Sequence, residues 1–268
     1  SGSGEGNLAS NNISWNTSGD TTIQGNVTMS SDVRIEGGLE IGALPVLPAD
    51  EKLVSHWSFN EGAGDITLNQ ANYSQTGSIK GNTVYTTSSV AGYAVTFDGD
   101  GDYVQIPEYY FRCSSSVHGE AQDTAISMWV NSNRVGGGAN MPGGVGLMQG
   151  PPSKSGARDW DSVISIANYT GSSGGTGNAS VALQTVSGSS MSIPLNVKFQ
   201  LNRWHQVGIQ YVSSSHLLYA YVDGELASHV NGTGMASAKD VIAIDRIGQG
   251  YGGSLVDMSG SIDEVRFY

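Results

Sequence analysis

Hydrophobic and polar residues alternate in short runs through most of the chain after residue 48, and turn residues separate the runs. Alternation with a period of two is typical of strands that bury one face, and no convincing helical period accompanies it. The runs are Val54–Phe59, Tyr93–Phe97, Tyr103–Pro107, Ala125–Val130, Ser162–Ala167, Ser180–Thr185, Trp204–Tyr211, Leu217–Val222, Val241–Ile247 and Ser261–Tyr268. Short strands in this number predict an all-β fold, an antiparallel sandwich of two sheets.

A shorter repeat occupies residues 20–43, where Thr22–Met29, Asp32–Gly37 and Gly38–Gly42 each alternate briefly and are closed by Gly, Asn or Ser. Units this short cannot bury an apolar face alone, so they must stack on each other or on copies from other chains. The pattern resembles the glycine-punctuated β repeats of phage tail-fibre shafts, and a disordered polar leader is the alternative. We divide the chain into residues 1–19 (a leader or cloning remnant), 20–48 (β-repeat shaft and proline-containing linker) and 49–268 (the sandwich domain).

Composition narrows the classes of function. The net charge of −12 argues against a nucleic-acid-binding face and against docking on anionic lipid. Charged residues make up only 13% and glycines number 38, a composition typical of turn-rich extracellular β proteins. No apolar run reaches the ~20 residues needed to span a membrane, so we expect no membrane insertion. The single cysteine, Cys113, excludes an internal disulfide and a cysteine-based zinc site.

Five segments carry a resemblance to a known family. In chain order they are VSHWSFNEGAG from Val54, VTFDGDGDYVQIP from Val95, ISMWV from Ile126, RWHQV from Arg203 with LYAYVDG from Leu218, and GSIDEVRFY from Gly260. Together they resemble the laminin-G-like, concanavalin A-like lectin and glucanase domains. The resemblance implies that the sandwich is a concanavalin A-like jelly roll over residues 53–268.

The aromatic residues of these segments stand at alternating positions, where we expect them to point into the core. Each such side chain buries about 150–250 Å² when packed, so packing is their predicted role. They are Trp57, Phe59, Phe97, Trp129, Trp204, Tyr221 and Phe267.

The run Asp98-Gly-Asp100-Gly-Asp102 is a candidate calcium site. Carboxylates separated by glycine can curl their oxygens around a hard cation, and calcium takes six to eight oxygen ligands. The family resemblance implies a structural calcium near the final strand, which adds Asp263 and, as a further candidate, Glu61. The alternative is a solvated turn, with Asp263 capping the end of a sheet.

An insertion between residues 131 and 161 departs from the family pattern and contains Arg158-Asp159-Trp160-Asp161. A tryptophan flanked by charged groups suits a sugar, because the ring stacks on an apolar sugar face while the charges bind hydroxyls. Tyr109 and Tyr251 are candidates for the same glycan-binding surface. Two alternatives remain: Trp160 begins a strand and is buried, or Tyr109 belongs to a packed edge or an oligomer contact.

Catalysis is not expected. Glycosidases of this fold carry paired carboxylates on one strand in the pattern Glu-x-Asp-x-x-Glu, and the chain has no such triplet. Since side chains alternate along a strand, Asp263 and Glu264 should point to opposite faces and cannot form that pair.

The resemblance and the leader together predict a non-catalytic glycan-binding adhesion module at the tip of an extracellular fibre or viral tail fibre. The partner would be a cell-surface or extracellular glycan, and the chain would form a homo-oligomer, with a trimer favoured because three chains can close each other's edges. The alternative is a structural subunit of a filament or coat that assembles through its N-terminal β segment. A third interpretation is an accessory domain of a glycan-degrading enzyme.

Overall fold

The computed structural model describes residues 13–15, 21–23, 52–112, 122–133, 144–150, 163–167, 179–185, 190–196, 199–232, 241–249 and 257–268. The chain divides into two compact units, Ser1–Gly42 and Ala43–Tyr268. In the first unit, strand β1 (Ile13–Trp15) pairs antiparallel with β2 (Thr21–Ile23). This hairpin joins residues on both sides of the boundary proposed at residue 19. Most of the 20–43 repeat lies outside the described residues, and the three-part division stays a prediction.

The second unit consists of short strands. They are β3 (Ser55–Trp57), β4 (Ile66–Leu68), β5 (Thr76–Lys80), β6 (Val84–Thr86), β7 (Ala94–Asp98), β8 (Tyr103–Phe111), β9 (Thr124–Ser132), β10 (Gly144–Gln149), β11 (Val163–Ala167), β12 (Ser180–Gln184), β13 (Ser190–Pro194), β14 (His205–Val212), β15 (Leu217–Val222), β16 (Glu225–Asn231), β17 (Ile242–Ile247) and β18 (Ser259–Phe267). The part of the chain described here contains no α-helix. It accordingly offers no helix of the length and apolar character that a membrane crossing requires.

Two eight-stranded antiparallel sheets form the domain. Sheet I has the order β13-β12-β11-β10-β17-β8-β5-β4. Sheet II has the order β16-β15-β14-β9-β18-β7-β6, with β3 paired to β18. The predicted antiparallel sandwich is therefore confirmed, and the final strand β18 lies in the middle of sheet II between β9 and β7.

The core between the sheets is built from alternate residues of both. Burial confirms the inward prediction for Trp57, Phe59, Phe97 and Phe267. The prediction is wrong for the other aromatic residues, Trp129, Trp204 and Tyr221, which are half-buried. In β9 and β15 the smaller aliphatic neighbours occupy the interior instead, so Trp129 and Tyr221 face outward from sheet II.

Candidate functional site

A row of polar side chains crosses the outer face of sheet I. Arg246 on β17 lies opposite Gln105 on β8 and also opposite Gln149 on β10. Directly opposed residues of antiparallel strands project to the same face. The strand neighbours of these residues, Val104, Ile247 and Met148, are buried in the core, so the row lies on the outer face of sheet I. Gln149 is nevertheless covered there, with only 4% of its surface exposed.

Arg246 is held in a defined orientation on this face. Its guanidinium carbon lies 5.0 Å from the centre of the Tyr103 ring, and NH1 donates a 2.9 Å hydrogen bond to Gln249 Oε1. Nε lies 3.6 Å from Asp245 Oδ1. Gln105 Nε2 in turn donates to the Asp245 carbonyl oxygen at 2.9 Å and to Oδ2 at 3.0 Å. The guanidinium is thus fixed by a ring, an amide and a carboxylate.

A β-bulge explains why Asp245 and Arg246 share this face although they are neighbours in the chain. The β8–β17 register shifts between Ile244 and Arg246, which breaks the alternation. The side chains of Asp245 and Arg246 are 14% and 22% exposed, so part of each reaches solvent, whereas the two facing atoms, Asp245 Oδ1 and Arg246 Nε, are buried. We call Tyr103, Gln105, Gln149, Asp245 and Arg246 the Arg246 patch.

The predicted binding insertion joins the sheet beside this patch. Gln149, which ends β10 opposite Arg246, is paired with Val163, which begins β11. The connection between those strands carries Arg158, Asp159, Trp160 and Asp161, which lie outside the described residues, as does Tyr251. Their glycan-binding role stays a prediction.

Tyr109 is packed rather than displayed. Its hydroxyl lies 2.6 Å from Thr124 Oγ1 and donates to the Tyr268 carbonyl oxygen at 2.9 Å. Its ring centre lies 4.5 Å from that of Phe267, and burial raises the pKa of the hydroxyl to about 12. The structure therefore favours the packed-edge alternative for this residue over the sugar-binding one.

The predicted calcium cluster forms a hydrogen-bonded turn. Buried Asp102 accepts from the Asn82 N–H at 2.6 Å and from the Asp98 N–H at 2.8 Å. Asp98 accepts from Asn82 Nδ2 at 3.0 Å and from the Asp100 N–H at 2.9 Å. Burial raises the pKa of Asp102, whereas the bond from Asn82 contributes most to lowering that of Asp98. All four oxygens of these two carboxylates accept hydrogen bonds, and Asp100 is exposed.

The other two candidate ligands lie elsewhere. Glu61 accepts from the Leu68 N–H at 2.9 Å and from Thr67 Oγ1 at 3.1 Å. Asp98 lies opposite Ser259, and Asp263 is four residues further along β18, about 13 Å at strand rise. Among the described residues, no three His, Cys, Asp or Glu side chains are grouped as metal ligands would be. The five candidates are thus not brought together as one ligand set.

Asp263 alone among these candidates combines full burial with an oxygen left unsatisfied. Oδ2 accepts from the Val90 N–H at 2.9 Å and from the Ala91 N–H at 3.3 Å, while Oδ1 is buried without a hydrogen-bond donor at bonding geometry. Burial raises the pKa of this carboxyl to about 6. A buried acceptor without a partner is costly, and a cation at Oδ1 would remove that cost. Asp263 therefore fits a calcium ligand better than the Asp98–Asp102 turn does.

A second bulge lies at Asp263, which pairs with the outward-facing Trp129 and therefore lies on the outer face of sheet II. The register between β18 and β9 shifts between Asp263 and Arg266, and both Ile262 and Asp263 are buried. Glu264 adopts φ = 52°, and its carboxylate contacts His56 Nε2 at 2.8 Å and the Arg266 guanidinium. The alternation assumed from the sequence therefore fails at this pair of carboxylates.

Comparison with known proteins identifies the family to which the fold belongs. Residues 97–268, more than half of the chain, match the family model described as the concanavalin A-like lectin/glucanases superfamily. A search of the curated proteins finds no match.

Among solved structures, the chain is similar to domain 4 of AbnA, a GH43 extracellular arabinanase from Geobacillus stearothermophilus, in complex with arabinotriose. The two are 16% identical with a TM-score of 0.54, over 81% of this chain and 92% of that one. It is also similar to a botulinum neurotoxin serotype D/C binding domain, at 13% identity and a TM-score of 0.51, over 82% of this chain and 49% of that one. At these identities the likenesses concern the fold alone. The family match confirms the resemblance carried by the sequence segments, and the chain belongs to the concanavalin A-like lectin/glucanases superfamily.

Proposed function

We propose that the domain is a non-catalytic glycan-binding module whose site is the Arg246 patch. The observation that carries the proposal is the guanidinium of Arg246, held against Tyr103 and beside Asp245 on the outer face of sheet I. Fixed donors and acceptors on a rigid sheet lose little entropy when they bind hydroxyl groups. The insertion that contains Trp160 leaves the sheet at the same place and would add a stacking surface.

Two further points support this proposal. The domain of AbnA named above was solved with a bound arabinose trisaccharide, so a domain of this fold can hold a sugar. The sequence lacks the Glu-x-Asp-x-x-Glu carboxylate triplet of glycosidases with this fold, and we therefore propose binding without turnover.

The proposal is tested with an array of glycans probed by the intact chain in millimolar calcium. We expect selective binding, and we expect it to weaken in Trp160→Ala because the inserted loop would lose its aromatic platform. A reducing-sugar assay on the bound glycans serves as the control for catalysis. Release of sugar would favour the accessory-enzyme interpretation, and binding to no glycan would contradict the proposed function.

We further propose that the domain sits at the tip of an extracellular fibre and forms a homotrimer through residues 20–48. Short glycine-punctuated strands such as those of the repeat need partners to pair their edges. Sedimentation is expected to give about three times the 27.9 kDa chain mass for the whole chain and a monomer for residues 49–268. Assembly of the whole chain into polymers of no fixed size, which the truncated chain does not form, would instead favour the filament-subunit alternative. A whole chain that sediments as a monomer would contradict both.

We also propose a structural calcium at Asp263. If calcium binds only the folded state, at 100 times its Kd it adds about 2.7 kcal/mol of stability, or about 5–10 °C in Tm for a domain of this size. Chelation should remove this increment from the wild-type chain and from Asp100→Asn, but Asp263→Asn should show no calcium-dependent change. Loss of the calcium response in Asp100→Asn instead would assign the site to the Asp98–Asp102 turn.

A further inference from the structure

We infer that the outer face of sheet II binds the surface of an insoluble, uncharged polysaccharide through a group of aromatic rings. The surface consists of Trp129, Tyr219, Tyr221 and Leu226, and we call it the sheet II aromatic face. It lies on the other side of the sandwich from the Arg246 patch. The inference therefore goes beyond the proposed function, which concerns soluble glycans bound on sheet I.

The register of the antiparallel strands places the three rings on one face. Trp129 on β9 lies opposite Gln206 of β14, and Tyr219 on β15 lies opposite Gln210 of the same strand. Gln206 and Gln210 are four residues apart and so share a face, as Tyr219 and Tyr221 do two residues apart. All three aromatic residues are half-buried. At ordinary strand spacing and rise, their Cα atoms fit within about 16 Å.

The Tyr221 ring lies flat on the sheet. An ideal Cβ atom at Gly208, directly opposite on β14, would lie 3.6 Å from Tyr221 Cδ2 and 3.8 Å from Cγ, so the ring covers that glycine. The Tyr221 hydroxyl donates to Gln210 Oε1 at 3.0 Å, which holds the ring in this position. Because the residue is half-buried rather than buried, the opposite side of the ring meets solvent. The ring thus offers a fixed stacking surface.

The strands that carry this face are almost without charge. In β9, β14, β15 and β16 the only Asp, Glu, Lys or Arg is Glu225, at the first position of β16, although such residues make up 13% of the chain. A charged ligand would lose its hydration on the rings without gaining a counter-charge. The face therefore suits an uncharged ligand.

Charged groups at the border of the face are already paired. Asp223, in the turn after β15, lies 2.9 Å from His205 Nδ1 and accepts from the Gln206 N–H at 2.8 Å. Arg266, on the strand beside β9, contacts the carboxylate of Glu264. These pairs reduce the charge that a ligand on the rings would meet.

The arrangement favours a polymer surface over a short soluble sugar. Leu226, opposite Tyr221 on β16, is 53% exposed and extends the apolar area. The apolar side of a sugar stacks on an aromatic ring, and one such contact is weak by itself. A rigid polymer surface meets all three rings at once, so the contacts add with little further loss of entropy. A short sugar in solution meets fewer of them.

The test measures retention of the intact chain on microcrystalline cellulose and on chitin powder, by its depletion from solution. We expect retention on at least one polymer, with less than about twofold change between low and high salt because no net charge is exchanged. Tyr221→Ala should lower the partition coefficient by about tenfold, whereas Tyr221→Phe should preserve it because the ring makes the contact. Tyr73→Ala makes the same change at a tyrosine that is 67% exposed between β4 and β5 of sheet I, and should leave retention unaltered.

Two further variants separate this face from loss of folding and from the Arg246 patch. Leu226→Asp changes an exposed side chain on an edge strand, and should lower retention by at least about threefold because its carboxylate would lose hydration against the polymer. Arg246→Gln should leave retention unaltered. All variants are compared at a temperature where each is folded.

No retention on either polymer, or retention that both Tyr221→Ala and Leu226→Asp leave intact, would overturn the inference without touching the proposed function. Release of the retained chain by short soluble oligosaccharides of the same polymer would overturn the assignment to an insoluble surface. Self-association of the intact chain beyond a trimer, abolished by Leu226→Asp, would assign the face to a second copy and also overturn it. Failure to bind any soluble glycan, with retention unchanged, would overturn the proposed function alone.

Discussion

Arg246→Gln is expected to weaken glycan binding by about 100-fold. Two charge-assisted hydrogen bonds from the guanidinium to a ligand are worth roughly 1.5 kcal/mol each, and about 2.8 kcal/mol is 100-fold in Kd. Glutamine keeps part of the length and polarity of the side chain but cannot stack on Tyr103 as a cation. Isothermal titration with the best ligand from the array measures the effect.

The matched control is Arg203→Gln. Arg203 is exposed, and within the described part of the chain its NH1 donates to Gln200 Oε1 at 3.1 Å, so the same change there should alter Kd by less than about twofold. Arg246→Gln is also expected to lower Tm, because the Asp245–Arg246 pair is only 14% and 22% exposed and the variant removes the counter-charge of Asp245, so affinities are compared at a temperature where every variant is folded. Equal losses of affinity in the two variants, or unchanged affinity in Arg246→Gln, would show that the Arg246 patch is not the binding site.

Gly260→Ala is expected to destabilise the domain by about 3–5 kcal/mol, which corresponds to a fall in Tm of roughly 10 °C. Gly260 lies in β18 with φ = 129°, a backbone conformation that L-residues rarely adopt. A Cβ atom there would lie 2.1 Å from the Asn131 carbonyl oxygen and 2.9 Å from Ser132 Cα. Both atoms belong to the backbone of the adjacent strand, so relief requires the central strands of sheet II to separate.

Gly64→Ala separates the two causes of this loss. Gly64 also has a positive φ, 92°, but a Cβ atom there would meet nothing within 4 Å. Gly64→Ala should therefore lower the free energy of unfolding by only about 1–2 kcal/mol, which is the cost of the backbone conformation alone. Chemical denaturation of both variants gives the comparison, and similar losses would show that the close approach at Gly260 contributes nothing.

The sequence was sufficient for the fold because the determinants of the fold are local. Alternation in β14 and β15 predicts strands, and the Asp223-Gly224 turn between β15 and β16 specifies a hairpin. Both turn residues adopt positive φ. Alternation alone did not specify which face was the core. Trp129 and Tyr221 were expected inside because they stand at alternating positions, yet the interior of their strands is filled by the neighbouring residues, which include Met128, Val130, Ala220 and Val222.

The candidate site was much less accessible to sequence reasoning. Tyr103 and Arg246 lie on strands that are distant in the chain, and only the pairing of β8 with β17 brings them together. The bulge sets three β8 residues against Asp245, and its sequence signal is Pro107 among them, since a proline inside a strand cannot donate to the ladder. The Asp98–Asp102 run was conspicuous because its carboxylates are close together in the chain, and they bind N–H groups of the turn itself and of Asn82.

Hydrogen exchange of the intact chain with and without its best glycan tests the central claim most directly. If the Arg246 patch is the binding site, exchange should slow in residues 103–105, 149–150 and 245–249 of sheet I. The outer face of sheet II, represented by residues 219–229, should exchange at the same rate in both states. Slowing confined to sheet II, with sheet I unchanged, would contradict the account.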